Sequence, residues 1–525
     1  MLKRQQIGIA TPSGVAFFLH DIQSNVVTLF FVQRIMSHMR KLFVFGLLLM
    51  LLLTAGCSQR ANTFFEKKLT FPDILTSDQK VKLAAYIVPT RKQYEWQQLE
   101  LTAFIHFGMN TFTGNEWGDG SEDPVLFNPS DFNAEQWVTA LKQAGFKMVI
   151  LTAKHHDGFC LWPSETTTHS VAASPWRNGQ GDVVREVKEA CDKYDMKFGV
   201  YLSPWDRNAE SYGDSPRYNE MFVRQLTELL TQYGEVHEVW FDGANGEDPN
   251  GKEQEYDWIR FYHVIDSLQP GAVKANMGDD VRWVGNENGL GRETEWSVTP
   301  LYPDINELII SENERLKISH TSEDLGSREL IKEAKTLYWN PSEVDVSIRP
   351  GWFYHPEEDD RVKSLSQLVD IYFQSVGMNS VLLLNVPPDT RGRIHDTDVE
   401  RLRQFGNYLS TLFGNEMLID GDITWKARTG ASREYMIKEE GKINSVMFQE
   451  DIRKGQRVES FMVEGWIGEE WTTLAEGTTI GYKRLLRFED AAPEKIRVTI
   501  HGARDIAHIL KVGAYYAPPL ADDQE

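Results

Sequence analysis

From about residue 93 onward, short apolar runs alternate with longer stretches whose apolar residues recur at helical spacing. A run of four to seven residues that is apolar throughout predicts a strand covered on both faces, and an apolar stripe of period 3.6 predicts a helix packed on one side. This reading places strands at 101–107, 147–153, 197–201, 236–241 and 273–276, with a late strand at 381–386 ahead of Pro387-Pro388. Helices fall between them at 134–144, 183–194, 215–233 and 254–268, and a last one at 397–413. A βαβα order makes the strands parallel, so the fold class is α/β, with a (β/α)8-like barrel over residues 91–413. That span exceeds what a simple barrel needs and leaves room for long loops after the strands. Beyond it the helical period disappears. Short strands at 445–448, 458–463, 471–474 and 495–500, separated by Gly- and Asp-containing turns, predict an antiparallel, jelly-roll-like β-sandwich over 414–525.

The N-terminal region has a different pattern. Met39-Arg40-Lys41, an apolar run from Leu42 to Leu53, and Thr54-Ala55-Gly56-Cys57 read as an export signal ending in a lipoprotein-type box, which makes Cys57 the expected lipidation site. The run is short for a bilayer span. Residues 1–57 are thus expected to be an extension plus signal peptide, and 58–90 a tether and lead-in. A start at Met36 would place this signal at the N-terminus, so residues 1–35 read as the product of a start-site error. The expected setting is a bacterial cell envelope, periplasmic or outer-membrane surface, with the lipid anchor as the only membrane contact.

Composition narrows the function. The formal net charge of −22 disfavours nucleic acid as a partner, and no basic run offsets it. Fifteen Trp and eighteen Tyr suit stacking on sugar rings as well as core packing. Of the three cysteines, Cys160 and Cys191 fall in the barrel region and read as inert buried thiols. No spacing matches a zinc ligand set.

Chemistry concentrates where strands end. Val239-Trp240-Phe241-Asp242-Gly243 stops an apolar strand on a carboxylate, and Val149 to Phe159 opens an apolar strand into Lys154-His155-His156-Asp157-Gly158. In parallel barrels such positions surround the active-site mouth. Adjacent residues of a regular strand point to opposite faces, so His155 and His156 share a ligand only if the backbone turns there, which Asp157-Gly158 permits. Metal-dependent barrels use His-x-His on one strand; the adjacent histidines here do not fit that pattern, and no metal or organic cofactor is expected.

Five stretches in order carry a resemblance: Phe104-Ile105-His106-Phe107-Gly108, Asn115-Glu116-Trp117-Gly118-Asp119-Gly120, Lys154 to Phe159, Gly199-Val200-Tyr201-Leu202-Ser203-Pro204-Trp205, and Val239 to Gly243. Together they resemble the α-L-fucosidases of glycoside hydrolase family 29. The resemblance implies a retaining mechanism, with Asp242 as nucleophile. It also implies that His106, His155, His156, Glu116, Trp117 and Tyr201 bind the sugar, with Trp240 and Arg282 as further pocket candidates and Trp352 and His355 as candidates after those. For the acid/base, Glu287 competes with Glu293 and Glu295. The run Trp283-Val284-Gly285-Asn286-Glu287 resembles the segment of the subgroup that prefers α-1,3/4-linked fucose on branched glycans, and Trp283 and Trp296 are expected to wall the acid. A fucosylated oligosaccharide is the implied partner. A retaining enzyme for another sugar, a transglycosylase and a non-catalytic carbohydrate-binding lipoprotein remain alternatives.

Overall fold

The computed structural model describes residues 67–246, 253–301, 307–438 and 441–520. The apolar run, Cys57 and the proposed start at Met36 lie outside these residues. Eight parallel strands form the first sheet: β1 (Leu101–Ile105), β2 (Met148–Lys154), β3 (Lys197–Leu202), β4 (Glu238–Phe241), β5 (Val273–Asn276), β6 (Arg282–Trp283), β7 (Ser342–Ser347) and β8 (Val381–Asn385). Their order, β5-β4-β3-β2-β1-β8-β7-β6, is that of a barrel, and a single parallel bridge between Ala275 and Val281 links the two ends. The barrel is imperfect at this point, because β5 and β6 follow one another without an intervening helix.

Side-chain alternation along each strand separates two cores. Phe104, Ile150, Tyr201, Trp240, Ala275 and Leu383 fill the lumen, whereas Ala103, Ile105, Val149, Leu151, Val239 and Leu384 pack outward in the larger core that includes the helices. Those helices are α1 (Ala134–Gln143), α2 (Val183–Lys193), α3 (Ser215–Gln232), α4 (Trp258–Leu268), α5 (Leu365–Ser375) and α6 (Asp396–Gly414). Their starts are chemically marked: Asn133, Asp182, Asp257 and Ser364 each accept a main-chain N–H in the first turn of α1, α2, α4 and α5.

Lys68–Thr70, within the expected tether, is instead a strand paired with Thr336–Trp339, and a capped helix follows at Ser77–Ala84. The C-terminal region is a β-sandwich of two four-stranded antiparallel sheets. Its strands are β9 (Trp425–Ala427), β10 (Ser432–Met436), β11 (Ile443–Glu450), β12 (Val458–Ile467), β13 (Glu470–Gly477), β14 (Arg484–Ala491), β15 (Lys495–Ala503) and β16 (Ala507–Tyr515). The sheet orders are β9-β16-β11-β14 and β10-β15-β12-β13. Cys160 and Cys191 are buried free thiols.

Candidate active site

A cavity of about 610 Å3 opens where the barrel strands end. Its lining includes His106, Glu116, Trp117, His155, His156, Tyr201, Trp240, Asp242, Trp283, Glu287 and Trp352. Most of the residues singled out from the sequence therefore converge on one space, although they come from six strand ends.

Asp242 follows the last residue of β4. Its Oδ1 accepts the Ala244 N–H at 2.6 Å, which fixes the turn, and its Oδ2 accepts the Tyr201 hydroxyl at 3.0 Å. His156 Nε2 stands 3.9 Å from the same Oδ2. The side chain keeps 24% of its surface open to the cavity, so the carboxylate is both held and reachable.

Two of the three histidines, His106 and His156, are arranged by hydrogen bonds that fix their tautomers. Asn385 donates its amide to Ser347 and to the Trp352 carbonyl, so its Oδ1 is left to accept His106 Nδ1–H at 2.8 Å. Ser203 gives its proton to the Trp205 carbonyl, so His156 Nδ1–H donates to Ser203 Oγ at 2.7 Å. In both rings Nε2 then carries a lone pair. Burial lowers the basicity of all three: His106 drops to about 3, and His155 falls well below the usual range, with the neighbouring histidines adding to the effect. They are neutral hydrogen-bonding groups. The strand geometry that lets His155 and His156 both face the cavity is the turn expected at Asp157-Gly158: β2 ends at Lys154, and Gly158 has φ +79° and bonds back to the His155 carbonyl.

Glu116 is turned toward the wall of the cavity, where its carboxylate accepts the Trp352 N–H at 2.9 Å and meets His355 Nε2 at 2.7 Å. His355 thus reaches the site through Glu116. Trp117 stands at the rim, 57% exposed, edge-on to His156 and Trp205. Beneath the sugar-sized space, Tyr201 stacks on Trp240 with centroids 5.4 Å apart, and on the other side lies parallel to His155. Trp240 donates its indole N–H to buried Glu343 at 2.8 Å. Glu343 lies beside Glu238, which accepts the Trp96 indole at 2.7 Å. Burial pushes both carboxyls up, Glu238 to about 8, so this lumen pair retains protons at neutral pH.

The three candidate glutamates separate cleanly. Glu287, an exposed residue, lines the cavity. Burial raises its pKa, a hydrogen bond from the Trp352 side chain opposes the rise, and the charge of Asp242 adds to it. Glu293 is exposed outside the lining, and Glu295 is 1% exposed, held by Arg282 and by Arg292.

Arg282 needs correcting as a pocket residue. It is fully buried, its Nη2 bound to Glu295 and its Nε to the Asn340 carbonyl at 3.0 Å. Arg282 and Trp283 are neighbours on β6, so they take opposite faces, and it is Trp283 that faces the lumen. Trp296 is not a wall of the cavity either: it is buried under the Arg504 guanidinium and bonds to Asp324.

Asn276, Met277, His320 and Asp345 also line the cavity and escaped the sequence reading. Asn276, the last residue of β5, is the one of these with a backbone mark, a left-handed φ of +58°. Asp345 sits in Ser342-Glu343-Val344-Asp345-Val346-Ser347, whose polar alternate positions resemble a solvent-facing strand but here face the lumen.

Carboxyl side chains in unlike environments, neutral histidines and aromatic walls at the mouth of a parallel barrel define a glycoside hydrolase. The family profile for α-L-fucosidase matches residues 78–412. The chain belongs to the α-L-fucosidase family. It is 40% identical to α-L-fucosidase 1 of Arabidopsis thaliana over 460 residues, covering 82% of this chain and 87% of that one. A Bacteroides ovatus crystal structure provisionally described as an α-L-fucosidase is 63% identical, with a TM-score of 0.86 over 87% of this chain and 79% of its own. A family 29 fucosidase of Ruminococcus gnavus solved in complex with fucose is 32% identical, with a TM-score of 0.72 over 82% and 95% of the two chains.

Proposed function

We propose that this protein is a retaining α-L-fucosidase that removes α-1,3/4-linked L-fucose from branched glycans. The observation that carries the reading is that Asp242 and Glu287 face one cavity in contrasting settings: Asp242 accepts two hydrogen bonds, while burial and the charge of Asp242 favour the protonated form of Glu287. In the first step Asp242 attacks the anomeric carbon as Glu287 passes its proton to the departing glycosidic oxygen. In the second, Glu287 takes a proton from water, whose oxygen displaces Asp242 and releases fucose with its original configuration. The lone pairs on His106 Nε2 and His156 Nε2 suit sugar hydroxyl donors, and Trp117 and Trp352 offer apolar faces to a 6-deoxy sugar.

The branched-glycan preference is supported by the resemblance of the segment 283–287. Export with lipidation at Cys57 is a further part of the proposal; Cys57→Ala should release the protein from the membrane fraction, and a wild-type protein found unlipidated by intact mass would rule the anchor out.

The decisive experiment compares a Lewis-type trisaccharide, an aryl α-L-fucoside and an α-1,2-fucosyllactose, using wild type, Asp242→Ala and Glu287→Ala. Fucose release chiefly from the branched glycan, with α-L-fucose as the first anomer seen by NMR, is expected. Asp242→Ala should lose about a thousandfold or more of it. No fucose release from any substrate would redirect the assignment to another sugar or to binding alone.

A further inference from the structure

Besides Asp242, Glu287 and Glu116, Asp345 presents a carboxyl to the cavity. It is 3% exposed, and its Oδ1 accepts the Trp283 indole N–H at 2.8 Å. Trp283 begins the segment that carries Glu287 four residues later. The main chain there is already tied to β7, by the pairing Glu343↔Trp283 and by the Val284 N–H donated to the Glu343 carbonyl at 2.9 Å. Further along, Arg292 donates to the carbonyls of Val284 and His320, Gly285 takes φ +97° against the His320 carbonyl, and Asn286 closes a turn by accepting the Asn288 N–H at 3.1 Å. These bonds shape the main chain around Val284 and Asn286, and the Trp283 ring, which shares the cavity wall with Glu287, is held in place by Asp345.

Charge adds a second constraint. Asp345 is faced by Asp242 after β4, by Glu287 after β6, and by Glu343 on its own strand, which in turn meets Glu238. Burial pushes Asp345 up to about 8, the Trp283 bond pulls the other way, and Glu287 and Asp242 reinforce the rise. Two ionisable partners suffice for retaining chemistry, and a third negative charge beside them would oppose the charge on Asp242.

We propose that Asp345 is a positioning residue for Glu287: as a neutral carboxylic acid it anchors the Trp283 indole, and through it the loop that aims Glu287 at the leaving-group oxygen. This role rests on Glu287 being the acid/base. A general acid matters most when the leaving group is a poor one, so the test is a split between substrates. Kinetics of Asp345→Ala, Asp345→Asn, Trp283→Phe and Glu287→Ala would be measured on a fucosylated glycan and on an aryl fucoside with a strongly acidic phenol, with melting curves to confirm folding. Asp345→Ala and Trp283→Phe should each lose about tenfold or more in kcat/KM on the glycan and far less on the aryl substrate. Asp345→Asn, neutral and still able to accept the indole proton, should recover most of that loss. Equal losses on both substrates, or an Asn variant as impaired as the Ala variant, would overturn the proposal. If Asp345→Ala does not fold, Trp283→Phe carries the test: a loss on the glycan alone supports the proposal, and equal losses on both substrates overturn it. Should Glu287→Ala itself show no split, the acid/base reading fails and the positioning role with it; a split in Glu287→Ala alone removes only the role of Asp345.

Discussion

Single atoms decide how the cavity works, and the clearest case is Tyr201. Its hydroxyl donates to Asp242, and its ring is stacked between His155 and Trp240, so Tyr201→Phe deletes the hydrogen bond while preserving the stack. A hydrogen bond to a charged group is worth about 1.5–3 kcal/mol. The variant should therefore lose about tenfold to a hundredfold in kcat/KM with little change in Tm; unaltered kinetics would exclude Tyr201 from supporting the carboxylate. In its proposed role as acid/base, Glu287 should set the alkaline side of the pH profile. Its pKa is raised above the usual glutamate value, and activity needs its proton, so the rate should hold through the ordinary glutamate range and fall as pH rises through the raised value. The Trp352 hydrogen bond favours the charged form, so Trp352→Phe should move that fall to higher pH. A limb that shifts downward instead would contradict the assigned contact.

Strand alternation explains how the elements supply the site. Glu238, Trp240 and Asp242 share one face of β4 and its extension, as Glu343, Asp345 and Ser347 share one face of β7, so a ladder of acids and indoles runs up the lumen to the cavity. The lowest rung costs stability in a pH-dependent way. Glu238 is held near 8 in the folded protein and ionises near 4.3 when unfolded, so the folded state binds the extra proton between these values. The stabilisation linked to that proton is complete below the unfolded value and is lost as pH rises through the folded one. Glu238→Gln, which cannot ionise, should flatten the decline in Tm between about pH 5 and 8. An unchanged slope would show that Glu238 is ionised in the fold. Sequence patterning identified β4, where an apolar run ends in Asp242, but missed β7, because its polar alternation is the usual mark of a strand facing water.

At the scale of the molecule, barrel and sandwich are built as one body. Met447, Ile452, Tyr482, Leu485 and Tyr515 belong to the same apolar core as the barrel helices, and the Tyr482 hydroxyl donates to the Ser380 carbonyl at 2.6 Å. Gly481 marks the tightest point of the junction: it has φ +67°, and a Cβ there would lie 2.0 Å from Asn379 Oδ1. Gly481→Ala should cost about 1–3 kcal/mol through backbone strain, with more from the clash, lowering Tm while the folded fraction keeps its kcat/KM. An unaffected Tm would mean that the two units meet more loosely than these contacts imply. What the sequence determined by itself were the features with a local cause: the alternation of strands and helices, the carboxylate and paired histidines at strand ends, and the change of period that separates the two domains. Tertiary structure decided what depends on facing partners. It alone sent Arg282 to Glu295 and Trp283 to the cavity, left Glu287 rather than Glu293 or Glu295 at the site, and turned the polar face of β7 inward. Charge and polarity in a sequence do not say which way a side chain points; burial and the neighbouring strand do.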